Sequence, residues 1–248
     1  MTTDAEFDDV AADYDEQLHR GVSLSGERKE YFAEARVAWL KQRLGHGLES
    51  VHTVMDYGCG TGSAIPYLRD TLRARTILGV DVSSASLETA RALYGSESIR
   101  FVRPTDYAPR GQVQLVFSNG TFHHIPPRER PSVLRYLANA LAPGGWLAIW
   151  ENNPWNPGTR MVMKRIPFDR DAITISASRL ARLARDAGFA VERTDFLFVF
   201  PHALRALRGL EPALARWPLG AQYLMLARKA PDVPGFSTHE DSRTVTTG

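Results

Sequence analysis

One stretch constrains the fold of this 248-residue chain more than any other: Val54-Met55-Asp56-Tyr57-Gly58-Cys59-Gly60-Thr61-Gly62. It reads as a short apolar strand running into a glycine-rich turn and then a helix. Three glycines at alternate positions clear side chains from the turn, so a ligand can lie against the backbone. The helix that follows offers free N–H groups at its start. A second apolar strand, Thr76-Ile77-Leu78-Gly79-Val80, ends at Asp81, twenty-five positions after Asp56 (81 − 56). An acid at that place can accept both ribose hydroxyls of an adenosine, the arrangement of nucleotide-binding β-α-β units.

The turn departs from the dinucleotide pattern G-x-G-x-x-G. Its spacing is G-x-G-x-G, and Ser63 stands where the third glycine would be. Asp56, just before the turn, would repel a pyrophosphate and attract a cation. Both features disfavour a nicotinamide oxidoreductase and favour a cofactor with an ammonium group and no phosphates. Together with Ser118-Asn119-Gly120-Thr121-Phe122-His123-His124-Ile125 and Leu141-Ala142-Pro143-Gly144-Gly145-Trp146-Leu147, these segments resemble the motifs of the class I S-adenosylmethionine-dependent methyltransferases, over roughly residues 50 to 152.

The resemblance implies S-adenosyl-L-methionine as cofactor and a role for each matching residue. Asp56 meets the methionyl ammonium, Gly58, Cys59 and Gly60 form the turn beneath the cofactor, Asp81 holds the ribose diol, and Val82 lies against the adenine. Asp106, followed by Tyr107, stands where the family has an acid that accepts from the adenine amino group. Asn119 and Gly120 end a strand whose backbone contacts the methionyl part. Tyr14 lies on an N-terminal helix of a kind that often closes on the cofactor, although its place on an apolar face also suits a core residue. The thiol of Cys59 reads as a small group packed under the turn.

Three residues are candidates for the catalytic half. His123 and His124 follow the fourth strand, and histidine titrates near neutrality, which suits a general base. The same pair recurs in the family without being catalytic. Adjacent side chains on a helix point about 100° apart, so at most one faces the substrate. Glu151 ends the fifth strand and is either a second base or an anchor that bonds backbone N–H groups. Trp155 and Arg160, in the Pro- and Asn-rich stretch Asn152 to Arg160, would suit an organic acid or a phosphorylated acceptor; an ordinary surface loop is the plainer reading of either alone. No Asn-Pro-Pro-Tyr follows the fourth strand, which argues against exocyclic amino groups of bases or protein glutamine as acceptors. No Cys or His cluster has zinc spacing, and no metal is expected.

The rest of the chain organises around this unit. Phe7, Val10, Ala11, Tyr14 and Leu18 recur at helical spacing, and a second helix is expected from about Glu27 to Leu44, with Tyr31, Ala35, Ala38 and Trp39 as its apolar side. Strands and helices then alternate: strands at Val51–Asp56, to Asp81, Ile99–Val102, Val113–Ser118 and Trp146–Trp150, and a helix through Leu134, Leu137, Ala138 and Leu141 stopped by Pro143-Gly144-Gly145. Such alternation implies an α/β fold, a mostly parallel sheet with helices on both faces. The last two strands, Val191–Phe200 and Ala221–Ala227, break the alternation and predict an antiparallel C-terminal edge pair. Seven strands agree with the Rossmann-like sheet of the family. The expected organisation is a helical lid segment over 1–48, a methyltransferase domain over 49–230 with lid insertions near 152–174 and 201–220, and a disordered polar tail over 231–248.

Composition bounds the partners. The 44% hydrophobic content supports one good core, and a net charge of +2 argues against a dedicated nucleic-acid binder. Charge is uneven: residues 1–50 carry 6 − 11 = −5, and residues 153–230 carry 13 − 6 = +7. The basic half is either solvated helix surface or a side that attracts an anionic acceptor. A single cysteine rules out an intrachain disulfide framework. No uncharged apolar run reaches membrane length, and the acidic N-terminus lacks a signal core, so a cytoplasmic protein is expected. The reading is a methyltransferase for a small acceptor, a natural-product, lipid-linked or sugar-type intermediate, with oxygen as the first expectation and carbon or nitrogen open. The alternatives are a catalytically silent cofactor-binding or regulatory module, and an RNA or protein methyltransferase. The oligomeric state is not legible.

Overall fold

A computed structural model describes residues 26–166 and 172–230. Seven strands, β1 (Thr53–Tyr57), β2 (Thr76–Val80), β3 (Ile99–Val102), β4 (Val113–Asn119), β5 (Leu141–Asn152), β6 (Phe189–Leu197) and β7 (Gln222–Lys229), form one sheet in the order β3-β2-β1-β4-β5-β7-β6. The first five are parallel, and β7 runs antiparallel to both β5 and β6. The Rossmann-like sheet and its antiparallel C-terminal edge thus follow the expectation from sequence. Chain order reverses at β1: β2 and β3 lie to one side, β4 and β5 to the other. The connections after β1 and β4 therefore diverge, which opens a crevice at the carboxyl ends of these strands.

The helices are α1 (Lys29–Leu44), α2 (Ile65–Leu72), α3 (Ser84–Tyr94), α4 (Arg130–Ala140), α5 (Pro157–Arg165), α6 (Ala177–Asp186) and the single turn α7 (Glu211–Leu214). Alternate strand residues feed two cores, as the period of a strand requires. Val54, Phe117 and Trp150 pack with Leu40 of α1, Leu68 of α2 and Leu87 of α3 on one face. Met55, Val116 and Ile149 pack with Leu134 and Leu137 of α4 and Leu180 of α6 on the other.

Two local readings are corrected. Leu141 does not extend α4; it opens β5 and pairs with Val113, and a register shift between Val113 and Leu115 absorbs the Pro143-Gly144-Gly145 stretch inside a twelve-residue strand. Those residues have no ladder partner; Leu141 before them and Trp146 after them pair with β4, so the turn-forming stretch is held as a bulge within the strand. On α1 the buried side is Val37, Trp39, Leu40 and Leu44, and Ala38 is exposed.

Helix α1 is bound into the core by a polar joint. The carboxylate of Asp195 on β6 is fully buried; it accepts from the Trp39 indole N–H (3.0 Å) and from Arg193 (2.9 and 3.1 Å), and Arg43 lies 3.0 Å away as an ion pair. The Arg36 guanidinium also donates to Gln222. Residues 1–25, which include Tyr14, and the tail from 231 lie outside the described residues. No described helix is long and apolar enough to cross a membrane.

After β6 the backbone turns sharply. Phe198 adopts φ 63°, a left-handed conformation that is costly for a side chain of this size. Glu211, itself buried, holds the turn by accepting from the backbone N–H groups of Phe198, Val199 and Phe200 at 3.1–3.2 Å. Glu211→Ala strips one buried and two half-buried backbone donors of a charged acceptor and is expected to cost about 2–4 kcal/mol. Chemical denaturation of the variant measures it; an unchanged midpoint would show that the turn holds without the carboxylate.

Candidate functional site: the turn after β1 and the ends of β4 and β5

The glycine turn is shaped by three left-handed residues, Gly58, Gly60 and Gly62, at φ 74°, 50° and 84°. They differ in what surrounds them. A Cβ on Gly58 would lie 2.1 Å from the hydroxyl of Thr121, and one on Gly62 2.8 Å from the Tyr94 ring, so both are fixed by the protein's own packing. A Cβ on Gly60 would meet nothing within 4 Å. Gly60 is bare on its outer side, as a surface that receives a ligand must be.

Asp81 ties this turn to β2. One carboxylate oxygen accepts from the Gly60 N–H at 2.8 Å and the other from the Ser83 N–H at 3.0 Å. Ser83 in turn caps α3 by accepting from the Ser86 N–H. The acid at the end of β2 is therefore oriented by the backbone on both sides before any ligand arrives. Val82 beside it is exposed. Cys59 is buried, with its N–H on the Val80 carbonyl, and burial pushes its thiol well above the usual range.

Asp56 is 2% exposed, and its Oδ2 has no hydrogen-bond partner. Burial, with the charge of Asp81 adding to it, pushes its carboxyl up to about 8. A buried carboxylate without a partner is costly, and such groups mark places completed by something else. Asn119 Oδ1 at the end of β4 and the Trp150 indole N–H on β5 are also buried and unpartnered. Asp56 pairs in register with Phe117, and Asn119 with Trp150. Strand alternation turns all three to the same face of the sheet, at the carboxyl ends of three adjacent strands.

On the opposite face, Glu151 and His123 form a buried pair. Glu151 Oε2 lies 2.6 Å from His123 Nδ1, and its Oε1 accepts from the Phe122 N–H at 2.7 Å. Glu151 thus bonds a backbone N–H after β4 and pairs with His123, a pairing that neither of its sequence readings named. His124 is half-buried, with its ring 4.2 Å from that of His123. Arg130 braces the same segment through the carbonyls of Ile125 and Ile173.

The remaining candidates are more dispersed. Asp106 is exposed in a short turn and bonded to its neighbour Thr105. Tyr107 is half-buried, with its hydroxyl donating to Gln112. Gly120 has φ 66° and begins the turn into His123. Arg160 is exposed on α5. Trp155 lines a groove beside β6, whose walls include no residue of the glycine turn or of the ends of β1 and β4. Sequence reasoning passed over the roles of Thr121, Arg130 and the Trp150 indole. A polar atom near the end of an otherwise apolar strand was the signal available for Trp150.

A profile of the methyltransferase domain family matches residues 28–194. The chain belongs to this family. The unpartnered Asp56 oxygen, the bare Gly60 and the pre-oriented Asp81 fit the ammonium, backbone-contacting chain and ribose of S-adenosylmethionine. The methyltransferase is 25% identical over 124 residues to the trans-aconitate 2-methyltransferase of Escherichia coli O1:K1 / APEC, covering 50% of this chain and 48% of that one. It is 26% identical over 170 residues to the enzyme of the same name from Mycobacterium sp. (strain KMS), covering 62% and 64%. Against the Escherichia relatives, the methyltransferase spans about half their length. Among solved structures it shares its fold with an S-adenosylmethionine-dependent methyltransferase from Mesorhizobium loti (TM-score 0.54, 20% identity, 75% of this chain and 97% of that chain). It also shares it with geranyl diphosphate C-methyltransferase from Streptomyces coelicolor A3(2) (TM-score 0.57, 18% identity, 79% and 76%).

Proposed function

We propose that this methyltransferase transfers the methyl group of S-adenosylmethionine to an oxygen of a small organic acid. The observation that carries the donor half is the unpartnered Asp56 oxygen at the end of β1, with the bare Gly60 in the turn that follows. The relatives named for trans-aconitate support a small carboxylate-bearing acceptor. When bound, S-adenosylmethionine supplies an electrophilic methyl on a positively charged sulfur, which the acceptor oxygen displaces in line.

Asp56 and Asn119 offer two buried acceptor oxygens to the methionyl ammonium, Asp81 accepts from the ribose hydroxyls, and Val82 lies against the adenine. Asp106 and Tyr107 bound the far end. Positioning dominates the catalysis, because a carboxylate acceptor arrives ionised and only needs to be aimed. Where the accepting oxygen still carries a proton, His123, whose Nδ1 lies against the Glu151 carboxylate, takes it. His124 flanks that position, and Arg160 binds the acceptor's charge.

The direct test is methyl-ester formation, read by mass spectrometry, from labelled S-adenosylmethionine and a panel of small carboxylic acids that includes trans-aconitate. Turnover of at least one acid is expected. Transfer to RNA or protein with none to any acid would replace the small-acceptor reading with the macromolecular one. Asp81→Ala is expected to weaken S-adenosylhomocysteine binding about ten- to a hundredfold, the loss of a charge-assisted contact to the ribose. Unchanged affinity in a folded variant would remove Asp81 from the site.

A further inference from the structure

The groove that Trp155 lines runs between α6 and the edge strand β6 and encloses about 560 Å³, within the range of small-molecule sites. Its apolar part is the indole of Trp155, 59% exposed, with Phe196 of β6, Ala181 of α6 and Pro218. Its polar part is Arg182 and Arg185, three residues apart on the exposed side of α6, with the hydroxyls of Ser178 and Thr194.

These two arginines differ from others nearby. Arg193 is engaged by Asp195, Arg208 by Glu27, and Arg228 lies 3.9 Å from Glu192. Arg182 and Arg185 have no carboxylate partner among the described residues. Past Arg185 the groove continues into a further 310 Å³ bounded by Glu192, Arg193 and Arg216. Two guanidinium groups without a carboxylate partner among the described residues, lining one groove with an exposed indole, match a ligand with a flat apolar body and an anionic head. The guanidinium fork recognises phosphate and carboxylate oxygens in a planar, two-point manner, and the ring supplies a stacking surface.

We propose that this groove is a second binding site, separate from the methyl-donor site, for an aromatic phosphate or carboxylate. The anionic head lies between Arg182 and Arg185 and the ring against Trp155 and Phe196. The site needs no change in the donor pocket, because no lining residue is shared with it.

The test is calorimetric titration of the full chain with 1-naphthyl phosphate in saturating S-adenosylhomocysteine. One equivalent is expected to bind. Binding should weaken about tenfold or more in Trp155→Ala, and likewise in Arg182→Ala/Arg185→Ala, with S-adenosylhomocysteine affinity unchanged in both. Inorganic phosphate and 1-naphthol, each carrying half of the recognition, should bind at least about tenfold more weakly than the whole. If phosphate alone binds as well, the site is a simple anion site and the proposal fails. Competition with S-adenosylhomocysteine, equal binding to the variants, or no binding at millimolar concentration in folded protein would overturn it as well. None of these outcomes depends on which acceptor is methylated.

Discussion

The affinity for S-adenosylhomocysteine is expected to fall roughly tenfold for each pH unit below about 8, reaching about a hundredfold by pH 6. In the unliganded protein Asp56 is held protonated up to about 8, first by burial and then by the charge of Asp81. The cofactor's ammonium binds the ionised form, so binding below that pH must expel a proton. Calorimetry at pH 6.5 in two buffers of different ionisation enthalpy should show close to one proton released per ligand. Asp56→Asn should bind weakly at every pH and lose the slope. A flat wild-type profile would refute the placement of the ammonium on Asp56. Stability of the unliganded protein should move the other way. A carboxyl raised above its unfolded value contributes its full stability below the ordinary carboxylate range and loses it as pH rises through about 8. Asp56→Asn should therefore flatten the fall in Tm between pH 5 and 8.

Gly60→Val should abolish S-adenosylhomocysteine binding while leaving the fold largely intact, and Gly58→Val should unfold the protein. Both glycines are left-handed, and a side chain there costs about 1–2 kcal/mol from the backbone alone. The difference lies beyond the backbone. At Gly60 the new side chain enters space where no described residue lies within 4 Å of its Cβ. At Gly58 it collides with Thr121, whose hydroxyl is hydrogen-bonded toward the Tyr57 carbonyl, so β1 and β4 would have to separate. Circular dichroism with calorimetry distinguishes the two. Normal ligand affinity in folded Gly60→Val would mean that the turn does not receive the cofactor.

How far the sequence reached depended on the range of the interaction. Asp56, Gly60 and Asp81 were legible because a strand, a turn and a second strand make their geometry local. The antiparallel edge was legible from the broken alternation after Gly188. The site on the far side of β4 was only half legible. His123 and Glu151 were both named, yet their pairing depends on strands β4 and β5 standing side by side, which no local pattern encodes. The same holds for Glu211, whose three backbone donors lie 11–13 positions upstream. Trp155 shows the opposite failure: its proximity in sequence to the end of β5 suggested the acceptor pocket, but the loop carries it over to α6.

The joint between Trp39 and Asp195 joins positions 156 residues apart. At about 5–20 residues per second of synthesis, the indole of α1 waits roughly 8–30 s for its acceptor to be made. During that interval the buried face of α1, Val37, Trp39, Leu40 and Leu44, has only the early half of the sheet to rest on. The edge strand β6 then arrives with Asp195 and locks the helix in place. Completion of this joint therefore waits on a residue made 156 positions after the one it holds.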